Sequence, residues 1–241
     1  MKESAEITNT MGEHLSELKT RLLYSAISIG IGGALGYVLR ESIIKFLTLP
    51  LHQSLYYTSP TGGFDLVFKI SILFGALVSF PIIVYQLLKF IEPAIPQHVN
   101  GTLEKFLVGS WALLLMGLAT AYYLSLPAAL RLLSEFSTDQ VKALISTKDY
   151  MSFVLAYLGG FGLLFQLPII MMIVHKITPL NPKSLLKYLR HVVLLSFIIA
   201  AILTPTPDPI NQTILALPII LLYTITIGLI ELNPSPAYAN D

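Results

Sequence analysis

Cysteine is absent from all 241 residues. Without a thiol there is no disulfide framework, no thiolate metal site and no cysteine nucleophile, and redox compartment cannot be read. Charge is scarce as well: Asp, Glu, Lys and Arg supply 12% of the chain, against roughly 25% in a typical soluble domain. The 15 basic and 14 acidic residues fall in tight clusters and cannot coat a water-soluble globule. A net charge of +1 gives no basic footprint for nucleic acid. G-x-S-x-G, H-E-x-x-H and P-loop patterns are also missing, so the common hydrolase, zincin and nucleotide-binding chemistries have no motif here. What is present is apolar: 54% of residues are hydrophobic and the mean hydropathy is +0.72. These proportions are those of an integral membrane protein rather than a soluble enzyme or a disordered chain.

Uncharged runs then give the layout, because a bilayer core of ~30 Å needs about 20 apolar helical residues. Four runs, 22–39, 70–88, 106–130 and 150–174, are free of charge over 18, 19, 25 and 25 residues. Two shorter ones follow. Residues 192–204 supply 13 before the Thr204-Pro205-Thr206-Pro207-Asp208-Pro209 stretch, where proline should end a helix. Residues 214–230 supply 17, interrupted by Pro218. At ~1.5 Å per residue the fifth run reaches only about 20 Å, so the final pair is expected to cross only where the bilayer thins. The expected fold is all-α: six transmembrane helices, the last two short, in a single transmembrane domain covering residues 1–241. Four spans plus a re-entrant pair is the alternative. No internal repeat or soluble second domain is apparent. No cleavable leader is expected, since the first apolar run follows an acidic segment with Glu3, Glu6, Glu13 and Glu17.

Loop charges set orientation. With six spans, one side of the membrane holds Lys2, Lys19, Arg21, Lys89, Lys105, Lys176, Lys183, Lys187 and Arg190. The other holds Arg40, Lys45, Lys69, Arg131, Lys142 and Lys148, six against nine. Both termini are therefore expected in the cytoplasm. Residues 41–66 and 131–149 fall on the opposite side, as caps built from short interfacial helices.

An ionisable side chain inside a membrane marks function by default, yet no Asp, Glu, Lys or Arg lies at the centre of a span. Proton pumps and ion-coupled transporters usually need one. Among the polar residues inside spans, Gln166 occurs in Phe165-Gln166-Leu167-Pro168. It fits an interhelical hydrogen bond or a donor to carbonyls freed by Pro168, and equally a polar anchor for another protein's helix. His14, His52, His98, His175 and His191 stand at span ends or in loops, without metal-ligand spacing. Glycines at 30, 32, 33 and 36, and at 159, 160 and 162, mark close helix approach. The strongest local signal runs from His14 to Leu22. Leu15, Leu18 and Leu22 form an apolar stripe, while Glu17 and Arg21 sit four apart on another face. That pair reads either as ordinary i,i+4 support or as an interfacial carboxylate that receives a cationic ligand.

With these segments in order the chain resembles the TatC family, the multispan core subunit of the twin-arginine protein translocase. The resemblance runs from about His14 to Leu232. It is carried by His14-Leu15-x-Glu17-Leu18-x-x-Arg21-Leu22, Pro50, Ser79-Phe80-Pro81-Ile82-Ile83-Val84-Tyr85-Gln86 and Lys89-Phe90-Ile91-Glu92-Pro93-Ala94. It continues through Tyr122-Tyr123, Leu126-Pro127-Ala128, Tyr150-x-Ser152-Phe153 and Phe165-Gln166-Leu167-Pro168, then Leu203-Thr204-Pro205 to Asp208 and Gln212, and Ala216-Leu217-Pro218. The resemblance implies a concave bundle that binds twin-arginine signal peptides at its cytoplasmic face. It implies partnership with single-span TatA and TatB subunits and further copies of itself. Folded proteins would cross the membrane on the proton-motive force, with no cofactor, no covalent chemistry and no nucleic acid. The setting would be a bacterial plasma membrane, or a thylakoid if plastid-derived.

Residue by residue, Glu17 matches the family's signal-binding carboxylate, with Lys19 and Arg21 beside it, and Phe90 matches a site residue at the end of span two. Gln166 stands where the family often has Glu or Gln facing the concave pocket. Gln212 and the last two spans correspond to the docking region for partner helices, and Asp208 is a further polar site for a partner helix or the concave pocket. One feature departs: a second carboxylate usually follows a His in the second loop, but His98 is followed by Val99-Asn100-Gly101. Glu104, about 1.5 helical turns on, is the replacement to consider. A small-solute transporter or channel is the reading from another class, and it would need a polar pore-lining row and repeated halves, neither of which is seen.

Overall fold

A computed structural model describes residues 11–51, 53–92, 102–135, 144–203 and 209–232. Helix α1 covers Met11–Val38, and α2, Arg40–Thr48, follows almost without a break. A 3₁₀ turn, Leu49–Leu51, carries Pro50, whose fixed φ and missing donor stop α2 there. Helix α3 covers Gly62–Ile91, α4 Thr102–Thr120, α5 Leu126–Glu135, α6 Thr147–Leu164, α7 Leu167–Ile177, α8 Pro182–Leu203 and α9 Pro209–Leu232. Among the described residues five segments are long and apolar enough to cross a membrane, or six with the bent α3 counted as one span.

Proline explains the irregularities. The two halves of α3 meet at 54° around Ser79, just before Pro81, whose ring cannot donate to the carbonyl four residues back and crowds it. Between α4 and α5, residues Ala121–Ser125 form a π turn in which the Leu126 N–H donates to Ala121 O, five residues back. Pro127 follows at once, and the wider turn absorbs it without interrupting the span. Between α6 and α7 the Gln166 N–H tightens onto Leu163 O at 3.0 Å, and Pro168 occupies the first turn of α7.

The fifth crossing corrects the length read from charge alone. Helix α8 has 22 residues and α9 has 24. Asn181 caps α8, its Oδ1 accepting from the Lys183 N–H at 2.9 Å, and Pro182 opens the helix. Its first three turns carry Lys183, Lys187 and Arg190, so α8 is longer than its uncharged stretch, while the last two spans, at 21 residues each, are still the shortest of the unbent spans among the described residues. Pro218 lies inside α9 without ending it.

Packing is sequential. Helix α1 lies along α3 and α8 along α9, while α6 and α7 pack against α4 and α9 respectively. The α1–α3 contact is a seam of small residues. A Cβ on Gly75 would stand 2.5 Å from Ile29 O and 2.6 Å from Gly33 N, so only glycine allows this approach. The main core gathers Leu66, Ile70, Tyr122, Leu126, Met151, Val154, Tyr157 and Phe161, and a second cluster at the opposite end holds Val84, Leu88, Phe106 and Ile173. Along α6, Phe153, Tyr157, Phe161 and Phe165 follow one another at i,i+4, with ring centroids 4.5, 6.1 and 6.2 Å apart.

The two long segments expected to form caps join at the end of the bundle where α1 finishes. Tyr56 pairs with Ser146 as an isolated bridge, through Tyr56 N–H to Ile145 O at 3.2 Å and Thr147 N–H to Tyr56 O at 2.9 Å. From below, Tyr122 Oη donates to Phe46 O at 2.6 Å and Tyr150 Oη to Leu47 O at 2.8 Å, fixing α2 across the helix ends.

Candidate functional site

The site is built at the end where α1 begins and α3 finishes. Four-residue spacing puts Glu17 and Arg21 on one side of α1, and the glycine seam holds that side against α3. Arg21 Nε donates to Glu17 Oε1 at 2.9 Å, and Arg21 Nη2 donates to the same oxygen. The third contact crosses helices: Arg21 Nη1 lies 3.4 Å from Gln86 Oε1 on α3. The ion pair is half-buried, with side chains 21% and 30% exposed, so water screens it less than a fully exposed pair. Around it lies a pocket of about 330 Å³ lined by Ser16, Glu17, Thr20, Arg21, Tyr24 and Gln86. A carboxylate in such a pocket suits a guanidinium, whose planar fork matches its two oxygens.

The other residues singled out from sequence distribute as follows. Phe90 is half-buried one turn beyond Gln86, on the same side of α3. Lys19 is exposed and does not line the pocket. Glu104 is exposed in the first turn of α4, where a negative charge complements the helix N-terminus. It does not line the pocket either, although Phe106, two residues on, packs with Val84 and Leu88 of α3. Leu15, Leu18 and Leu22 are all exposed, so the apolar stripe of α1 faces outward.

Gln166 is 8% exposed. Its Oε1 accepts from Ser110 Oγ, and its Nε2 lies 3.3 Å from Ser110 O and 3.4 Å from Gly162 O. The Gly162 carbonyl is the one a regular helix would offer to the Gln166 N–H, which turns to Leu163 instead. Gln212 Nε2 donates to Phe197 O at 2.7 Å, joining α9 to α8. Asp208, His98 and Val99 lie outside the described residues. Among the described residues no group of three or more His, Asp or Glu could hold a metal ion.

Ser16, Thr20, Tyr24 and Gln86 complete the pocket, and none of the four is among the site residues read from sequence. Gln86 carried a usable signal, a long polar side chain in an apolar helix four residues before Phe90. Tyr24 had only its spacing, three residues after Arg21.

The family described as Sec-independent protein translocase protein (TatC) matches residues 13–218. The TatC protein of Magnetococcus marinus is 35% identical over 221 residues, covering 89% of this chain and 81% of that protein. That of Aquifex aeolicus is 34% identical over 224 residues, covering 90% and 92%. A crystal structure described as the twin arginine translocase receptor TatC superposes with a TM-score of 0.81 at 32% identity, covering 90% of this chain and 99% of the other.

Proposed function

This chain belongs to the TatC family of twin-arginine translocase subunits, multi-pass proteins of the bacterial plasma or thylakoid membrane, and we propose that it is the translocase's signal-peptide receptor. Glu17 receives a guanidinium of the twin-arginine motif, Phe90 and Gln86 line the same end of α3, and Glu104 in the first turn of α4 serves as the second carboxylate. The Glu17 end faces the cytoplasm, in keeping with nine Lys and Arg on that side against six on the other. Helices α8 and α9, with Gln212, form the docking region for TatA- and TatB-type helices, and Gln166 and Asp208 are further polar sites for a partner helix or the concave pocket. Folded cargo crosses with those partners at the expense of the proton-motive force.

The observation that carries this reading is the Glu17 carboxylate, half-buried in a pocket and already engaged by a guanidinium from its own chain. Binding of an Arg-Arg signal peptide and its Lys-Lys version to the purified protein in detergent tests it. The Arg-Arg peptide should bind about tenfold more tightly or better, since a bidentate charge-assisted pair exceeds a point-charge contact. Glu17→Gln should erase the difference. Equal affinities for the two peptides in the unmodified protein would refute the proposal.

A further inference from the structure

We propose that Arg21 is an internal placeholder for the incoming guanidinium, and that its displacement sets the affinity threshold of the receptor. The inference rests on the reading of Glu17 as the receiving carboxylate. In this structure Arg21 spends two donors, Nε and Nη2, on the single oxygen Glu17 Oε1, a charge-assisted contact with the carboxylate that a ligand arginine would have to replace. A half-buried carboxylate needs a partner, and Arg21 supplies it until a ligand arrives.

Displacement does not strand the released side chain. Its Nη1 already lies 3.4 Å from Gln86 Oε1 on the neighbouring helix, and the pocket includes Ser16, Thr20 and Tyr24 as further polar surroundings. The guanidinium can therefore swing toward α3 when Glu17 changes hands.

Competition of this kind has a thermodynamic signature. Every ligand of Glu17 must overcome the same intramolecular bond, so the penalty is common to arginine and lysine peptides. It leaves their affinity ratio unchanged while lowering both affinities. The Kd of a lysine peptide, the weaker of the two, is thereby raised above the working concentration first.

The test is the affinity of Arg-Arg and Lys-Lys signal peptides for the full chain in detergent, comparing unmodified protein, Arg21→Gln, Arg21→Lys and Glu17→Gln. Arg21→Gln should tighten both peptides by one common factor, roughly two- to tenfold, the range of a partly screened ion pair. Arg21→Lys, which keeps the charge but not the fork, should fall between, and it serves alone if Arg21→Gln does not fold. Weaker or unchanged Arg-Arg binding in these variants would overturn the proposal, making Arg21 a support for Glu17 rather than its competitor. A change in the ratio of the two affinities would also overturn it. If the unmodified protein shows no arginine preference that depends on Glu17, the receptor reading falls and this inference with it; failure confined to the Arg21 variants removes the inference alone.

Discussion

Gln166 shows what a single amide accomplishes in an apolar bundle. A kink before a proline leaves carbonyls without donors, and in hydrocarbon no water can serve them. Gln166 Nε2 covers Gly162 O on α6 and reaches Ser110 O on α4, while Ser110 Oγ returns a bond to Gln166 Oε1. Gln166→Leu and Ser110→Ala should each lower the thermal midpoint of the purified protein. A double-mutant cycle should give a coupling of about 0.6–1.7 kcal/mol, the range for polar pairs between membrane helices. Additive losses would mean that the two side chains act independently. The same residues show how much of the site could be read in advance. Glu17 and Arg21, four apart on one helix, were legible because helical spacing alone makes them neighbours. Gln86 lies 65 residues from Arg21, and Ser110 lies 56 from Gln166. Such partners are supplied by the packing of one helix on another, which no local pattern encodes.

At the scale of elements, the α1–α3 seam makes a sharp distinction among glycines that look alike in sequence. Gly75 has Ile29 O within 2.5 Å of any added Cβ, whereas Gly30 has nothing within 4 Å. Gly75→Leu should therefore separate the helices and destabilise the protein by about 1–3 kcal/mol or more, as overpacking does. Gly30→Ala should be neutral or stabilising by up to about 1 kcal/mol, because alanine restricts the unfolded chain and favours helix. Thermal unfolding in detergent distinguishes the two signs. Helix existence was legible from uncharged runs, since hydrocarbon excludes charge. Helix ends were less so: α8 continues beyond its uncharged run into Lys183 and Lys187, and the sign of its start was the cap Asn181-Pro182. The π turn at Ala121–Ser125 likewise has Pro127 as its only local cue.

On the scale of the whole molecule, the cap ties segments far apart in sequence. Thr58 Oγ1 and Ser146 Oγ lie 3.3 Å apart across 88 residues, close enough for a disulfide to form without moving the backbone far. The chain lacks cysteine, so Thr58→Cys with Ser146→Cys gives an unambiguous probe. The pair should oxidise readily, shift mobility on non-reducing gels and raise the thermal midpoint by several degrees. A pair that stays reduced would contradict the bridged cap. The glycine seam has a mechanical consequence for the end that holds Glu17. It acts as a fulcrum and the first turns of α1 as its arm: Arg21 is 11 residues from Gly32, about 16 Å at the helical rise. Rocking by about 10° over that arm moves Arg21 by about 3 Å, comparable with its whole reach to Gln86. A pull on α1 thus needs to turn the helix only slightly to change which groups meet at the pocket.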